Sequence, residues 1–140
     1  GGTRDSGRPS WSRDGKSVLF TRFNVKGNTR SVFLAPLAKG LKPMELFRAG
    51  ASQMGLTAAW CPVADKVAFL YAGDIWVMDS DGNNIHKVTA GLDLDRETPV
   101  GWSQDGTRLY FEPFRREGQK AVKAGAIQYV VLAQIEEIPT

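Results

Sequence analysis

Ser103 stands in Gly101-Trp102-Ser103-Gln104-Asp105-Gly106, one place away from a Gly-x-Ser-x-Gly elbow. Such an elbow holds a nucleophilic serine on a strained turn between a strand and a helix. Here Asp105 takes the place of the second glycine, and the Thr107-Arg108-Leu109-Tyr110-Phe111-Glu112 that follows is β-rich rather than helical. Other residues could do chemistry by type alone. Asp93, Asp95 and Glu97 alternate in LDLDRE and could chelate calcium, but no glycine or distant bidentate glutamate completes a known loop. DSDGNN (79–84) puts Gly82 fourth counting from Asp79, where a calcium loop needs glycine sixth, so it reads as a hairpin turn. One histidine, His86, and one cysteine, Cys61, are too few for a zinc site built from the usual nitrogen and sulfur ligands. His86 is expected to face solvent and Cys61 to be a small buried thiol. No catalytic residue, metal or cofactor is predicted.

A recurring unit places all of these residues. PSWSRDGKSVLF (9–20), AAWCPVADKVAF (58–69) and VGWSQDGTRLYF (100–111) align on Trp11, Trp60 and Trp102, and each Trp is followed nine places later by Phe20, Phe69 or Phe111. The tryptophans are 49 and 42 residues apart, within the range for four-stranded propeller blades. Ser103 thus has a counterpart in Ser12, and Asp105-Gly106 in Asp14-Gly15. Asp-Gly tolerates the positive φ of tight hairpins, so Ser103 reads as a turn residue and not as a nucleophile. A second strand pair follows each hairpin: SVFLAPLAKGLKPMELF (31–47), DIWVMDSDGNNIHKVT (74–89) and AIQYVVLAQIEEIPT (126–140). In the last, Ile127, Val130, Val131, Ile135 and Ile138 also fit helical spacing, but repeat position and β-branched content favour a strand.

WSRDGKSVLF, WSQDGTRLYF and IWVMDSDGNNIHKVT together resemble the WD40-like repeat of TolB-type β-propellers. The middle unit matches the second half of that repeat through Asp79, Asp81, Gly82 and Val88-Thr89; the other two match the opening half. The middle unit departs by carrying Val63-Ala64 where the turn should hold Asp-Gly. The third lacks an Asp-Gly hairpin before its last strand. The expected fold is all-β: three four-stranded antiparallel blades, the last incomplete, forming an open half-propeller or part of a larger one. The divisions are an N-terminal extension or inter-blade link (1–8), blade 1 (9–48), a link (49–57), blade 2 (58–90), a link (91–98) and blade 3 (99–140).

Three blades leave two apolar faces without neighbours, more apolar surface than soluble monomers usually expose. At ~25 cal/mol per Å², covering ~400 Å² is worth roughly 10 kcal/mol. The chain is therefore expected not to stand alone: a longer polypeptide, a protein partner, or a second copy closing the propeller should cover those faces. Antiparallel blade topology puts the Asp-Gly turns (14–15, 81–82, 105–106) on one face of the disk. The opposite face receives 24–28, 49–57, 90–98 and 114–126, and loops gathered on a rigid scaffold are where partners usually bind. The partner-binding candidates there are Phe114, Arg115, Arg116, Lys120 and Lys123, with Asp93 and Asp95 in the preceding link.

The chain has 140 residues, 42% hydrophobic and 24% charged, with a net charge of +3, a composition that excludes disorder. The charges are interleaved rather than clustered, and no aromatic residues alternate with the basic run for base stacking, so specific nucleic-acid binding is not predicted. No apolar run approaches the ~18 residues that span a bilayer. The Gly1-Gly2 start suggests a processed, tagged or excised chain. The leading expectation is a non-catalytic protein-binding scaffold, placed by its resemblance in the periplasm or outside the cell. The alternatives are the substrate-gating propeller of a prolyl-oligopeptidase-like serine hydrolase and a structural subunit of a larger membrane-associated complex.

Overall fold

The computed structural model describes residues 2–118, 120–123 and 125–132, with the main chain alone at 4–8, 115, 116, 121 and 123. Every helix or strand among them is a strand. In the first sheet, β1 (Thr3–Trp11), β2 (Ser17–Asn24), β3 (Thr29–Pro36) and β4 (Met44–Gly50) pair in sequence order, all antiparallel. The second repeats the plan with β5 (Met54–Trp60), β6 (Lys66–Tyr71), β7 (Asp74–Asp79) and the short β8 (His86–Lys87). In the third, β9 (Val100–Trp102), β10 (Arg108–Phe111) and β13 (Gln128–Val131) lie in the order β13-β10-β9. Between β10 and β13 the chain makes a separate ribbon, β11 (Phe114–Glu117) with β12 (Lys120–Lys123).

The middle sheet explains why its strands are apolar runs. Successive side chains of a strand point to opposite faces. Val67, Phe69 and Met78 face the first sheet and pack with Leu19, Val32, Leu46, Met54 and Ala58. Ala68, Leu70, Ile75 and Val77 face the third and pack with Val100, Leu109, Phe111 and Leu132. A sheet buried on both faces has no polar side. The sheets thus stack as blades, held face to face.

The chain departs from expectation at three places. Residues 1–8, expected as an extension, include most of β1, which pairs with β2 as far back as Thr3 and Asn24. A register shift between Ser6 and Ser10 accommodates Pro9, which has no N–H to give to a ladder. Likewise β5 starts at Met54, inside the expected link, with a shift between Met54 and Ala58. Residues 114–126, expected as a loop, contain the β11–β12 ribbon, whose tight connection uses the left-handed Gly118 at φ 62°. The expected strand at 126–140 is present as β13; its continuation over 133–140 lies outside the described residues.

The repeated turns share a closing bond. The Ser12, Cys61 and Ser103 amides donate to the carbonyls of Ser17, Lys66 and Arg108 at 3.0, 2.8 and 2.9 Å. Gly15 and Gly106 are left-handed, at φ 70° and 71°; the Val63-Ala64 turn keeps the closing bond without such a residue. Gly106 could carry no other side chain for a second reason: a Cβ there would stand 2.4 Å from Val63 Cγ2.

Candidate functional site

Main-chain hydrogen bonds tie the loops on the face opposite the Asp-Gly turns into one row. Ala51 N–H donates to Asn28 O at 3.0 Å, Ala72 N–H to Gln53 O at 2.8 Å, and Leu94 N–H to Gly73 O at 2.8 Å. Leu56 N–H donates to Arg96 O at 3.0 Å, and Asp95 N–H to Phe114 O at 3.3 Å. The last bond brings the two sequence-predicted groups together: Asp93 and Asp95 in the link, and the ribbon that starts at Phe114. In the ribbon Arg115 pairs with Val122, Arg116 with Ala121, Glu117 with Lys120, and Phe114 with Lys123. Phe114 is half-buried and Lys120 exposed.

Asp95 accepts the Glu97 amide within its own turn at 3.0 Å. Asp93 is left-handed, at φ 51°. It lines a cavity of about 210 Å³ with Ser52, Gln53, Ala72 and Arg96. Among the described residues, no three His, Cys, Asp or Glu side chains converge on a metal position. The face also carries Arg30, buried, with its guanidinium 5.2 Å from the Phe23 ring centre. Burial, and then the charge of Arg96, lower its pKa from the usual arginine value.

Asp74 organises this face, although nothing in its sequence context singled it out beyond a carboxylate opening an apolar strand. It is buried and accepts hydrogen bonds from Thr89 Oγ1 at 2.8 Å, Gly91 N–H at 3.1 Å and Leu92 N–H at 3.2 Å. Thr89 Oγ1 in turn accepts the Ile75 amide at 2.9 Å. Burial pushes the Asp74 carboxyl up, but these donors outweigh it and hold it below the usual range. One carboxylate thereby shapes the start of the link that meets the ribbon.

The opposite face has a larger open cleft, about 550 Å³, between the turns of blades 1 and 2. Arg13 and Asp65 approach to 4.0 Å there. Ser12 and Asp14 are occupied within the turn: Ser12 Oγ donates to Asp14 Oδ1 at 2.6 Å and accepts the Ser17 amide at 3.0 Å. Ser103 repeats this, donating to Asp105 Oδ1 at 2.7 Å and accepting the Arg108 amide at 3.0 Å. Ser103 thus gives its proton to the turn's own carboxylate and one lone pair to the turn's own amide, and the element that follows it is the strand β10 rather than the helix of a nucleophile elbow. Cys61 is buried, and His86 is exposed with Nδ1 3.0 Å from the Asn84 carbonyl oxygen. No helix among the described residues is long and apolar enough to cross a membrane.

No family model matches the chain, and no curated protein matches it in sequence. Solved structures do match. A TolB protein of Agrobacterium tumefaciens is 14% identical with a TM-score of 0.61, over 91% of this chain and 47% of its own. An oligogalacturonate lyase solved with manganese is 14% identical with a TM-score of 0.62, over 90% of this chain and 37% of its own. The β-propeller domain of the Trilobed protease of Pyrococcus furiosus, described as having an open velcro topology, is 15% identical with a TM-score of 0.53, over 89% of this chain and 42% of its own. The chain therefore spans less than half of each of these proteins. At such identities the likeness is one of fold, and its three antiparallel sheets are blades of the β-propeller type seen in TolB and in peptidase propeller domains.

Proposed function

We propose that this chain is a non-catalytic scaffold that presents its loop face to another protein. The observation that carries this reading is the bond between Asp95 N–H and Phe114 O, which sets the basic ribbon against the link from blade 2. Phe114, Arg115 and Arg116 on β11 are the anchor residues, and Lys120 and Lys123 on β12 extend the positive charge of the ribbon. Aromatic and arginine side chains dominate the energetics of interfaces. The partner contributes an acidic segment. Resemblance to TolB-like periplasmic proteins supports a site of action outside the cytoplasm. The test is a pull-down with immobilised chain and with an Arg115→Glu, Arg116→Glu variant of unchanged unfolding midpoint. Loss of partner capture by the variant supports the reading, and unchanged capture removes these residues from it.

The likeness to a protease propeller domain favours a second reading, in which these blades are part of a gate over a peptidase active site carried by another domain. The reading frame around the coding sequence decides it. A Gly-x-Ser-x-Gly in a strand–turn–helix context downstream would favour the gate.

A further inference from the structure

The junction of blades 1 and 2 and that of blades 2 and 3 set equivalent turns side by side, but only the second is closed. There Val63 and Cys61 sit against the buried Gly106, where a Cβ would stand 2.4 Å from Val63 Cγ2 and 3.0 Å from Cys61 Sγ. Counted from the closing bonds at Ser12, Cys61 and Ser103, Asp14 takes in blade 1 the place of Val63, and Ala64 takes in blade 2 the place of Gly106. The first junction therefore carries a Cβ where the second has room for none. Opposite it stands a carboxylate in place of an isopropyl group, held back in its own turn by Ser12 Oγ at 2.6 Å and the Lys16 amide at 2.9 Å. The turns of blades 1 and 2 stay apart, with the open cleft of about 550 Å³ between them.

Trp60 lines this cleft and differs from the other tryptophans. Trp76 and Trp102 donate their indole N–H groups to the carbonyls of Tyr71 and Ala59 at 3.0 and 2.9 Å, and Trp11 is exposed. Trp60 Nε1 is buried and has no acceptor among the described residues. Its strand is tied to blade 1 through the main chain instead, the Trp60 amide donating to Ser10 Oγ at 3.0 Å. Buried donors are nearly always satisfied, so an orphan beside an open cleft calls for an acceptor from outside the chain.

The rest of the lining narrows the chemistry. Arg13 and Asp65 approach each other from the two blades at 4.0 Å, with side chains 45% and 66% exposed. With Asp14, two carboxylates stand against one guanidinium, which disfavours an anion. A cation brings no acceptor to the indole. A peptide needs pockets for its side chains, and the apolar part of the lining is Trp60 and Pro62 alone, beside the hydroxyls of Ser17 and Ser80. A hydroxyl both donates and accepts, and a sugar ring joins several of them to an apolar face.

We infer that the cleft between the turns of blades 1 and 2 binds a neutral saccharide. Its hydroxyls donate to Asp65 and accept from Arg13 and Trp60 Nε1–H, and its apolar ring face lies on Pro62. The Arg13–Asp65 pair is exposed and weak, so it opens to the ligand at little cost. The site is on the face opposite the loops and is independent of the partner proposed for them.

The indole N–H resonances of the 140-residue chain, assigned sequentially, test this. The probes are the methyl glycosides of glucose, galactose, mannose and N-acetylglucosamine, and cellobiose, each to about 50 mM, enough to detect a millimolar site. Methyl glucuronide and triglycine amide are the charged and peptide controls. At least one neutral saccharide should move the Trp60 resonance saturably and leave those of Trp76 and Trp102, already bonded, in place. Asp65→Ala should raise its dissociation constant about tenfold, as for one lost hydrogen bond to a charged group. The fold tolerates this variant, because the bond that Asp65 gives the sheet, from Ser80 N–H at 3.0 Å, goes to its main-chain carbonyl. A Trp60 resonance that no saccharide moves overturns the inference, as does equal movement of all the indole resonances. Tighter binding of the glucuronide or of triglycine amide overturns it too, and so does an Asp65→Ala variant that binds as well as the native chain.

Discussion

Trp102 donates its indole N–H to the main-chain carbonyl of Ala59 across 2.9 Å. A side chain of one blade's inner strand is thus bonded to the backbone of the blade before it. Apolar packing between blades is non-directional, whereas this bond sets the depth at which one blade sits against the next. Trp102→Phe keeps an aromatic ring over Ala59 and removes only the donor. The expected loss is about 1 kcal/mol of unfolding free energy, read from the urea midpoint with an unchanged slope.

Asp74 supplies one acceptor group to three donors from 89–92. Asp74→Ala leaves those donors without it beneath the link, and an expected loss of roughly 3 kcal/mol follows. Asp74→Asn retains one acceptor oxygen and should lose less. Hydrogen exchange should show the 90–98 amides opening first, ahead of those in β6 and β7.

Acid should weaken the fold through the turn carboxylates. Hydrogen bonds from Ser103 and Thr107 lower Asp105 from 3.8 to about 2. Asp14 is lowered by Ser12 and Lys16 in the same way, and Asp79 by Lys66 and Asn84. A carboxyl whose pKa is depressed in the folded state adds stability above its unfolded pKa and loses it as pH falls through the folded value. Denaturant midpoints should therefore be level above about pH 5, then fall between about pH 4 and 2. Asp105→Asn should be less stable at neutral pH and show a shallower fall in that window.

Ser103→Ala separates a turn from a nucleophile. The hydroxyl donates to Asp105 and accepts from the Arg108 amide, so its removal should cost about 1 kcal/mol of stability. A serine-directed fluorophosphonate should label the native chain and the variant equally poorly. Selective labelling at Ser103 would contradict the turn assignment.

Much of the architecture was legible because its signals are local. Trp11, Trp60 and Trp102 with their phenylalanines nine places on mark the first two strands of each blade, and Asp-Gly marks the turns, since few residues tolerate φ near +70°. The β11–β12 ribbon was not legible. Arg115, Arg116, Lys120 and Lys123 show no apolar alternation, and a ribbon held by main-chain pairing and a left-handed Gly118 has no need of one. The candidate site was half visible: the basic residues stood out by charge, but their contact with the 91–98 link passes through backbone atoms, which every residue shares.

The sequence by itself determined that this protein is made of repeated antiparallel strands with their turns at defined places, because strand periodicity and turn conformation are properties of neighbouring residues. Only the tertiary structure decided which of three equivalent tryptophans is covered, which carboxylate is buried, and which loops meet. Those depend on what stands on the other side of a sheet, and a shared Trp with a Phe nine places on carries no record of what each strand packs against.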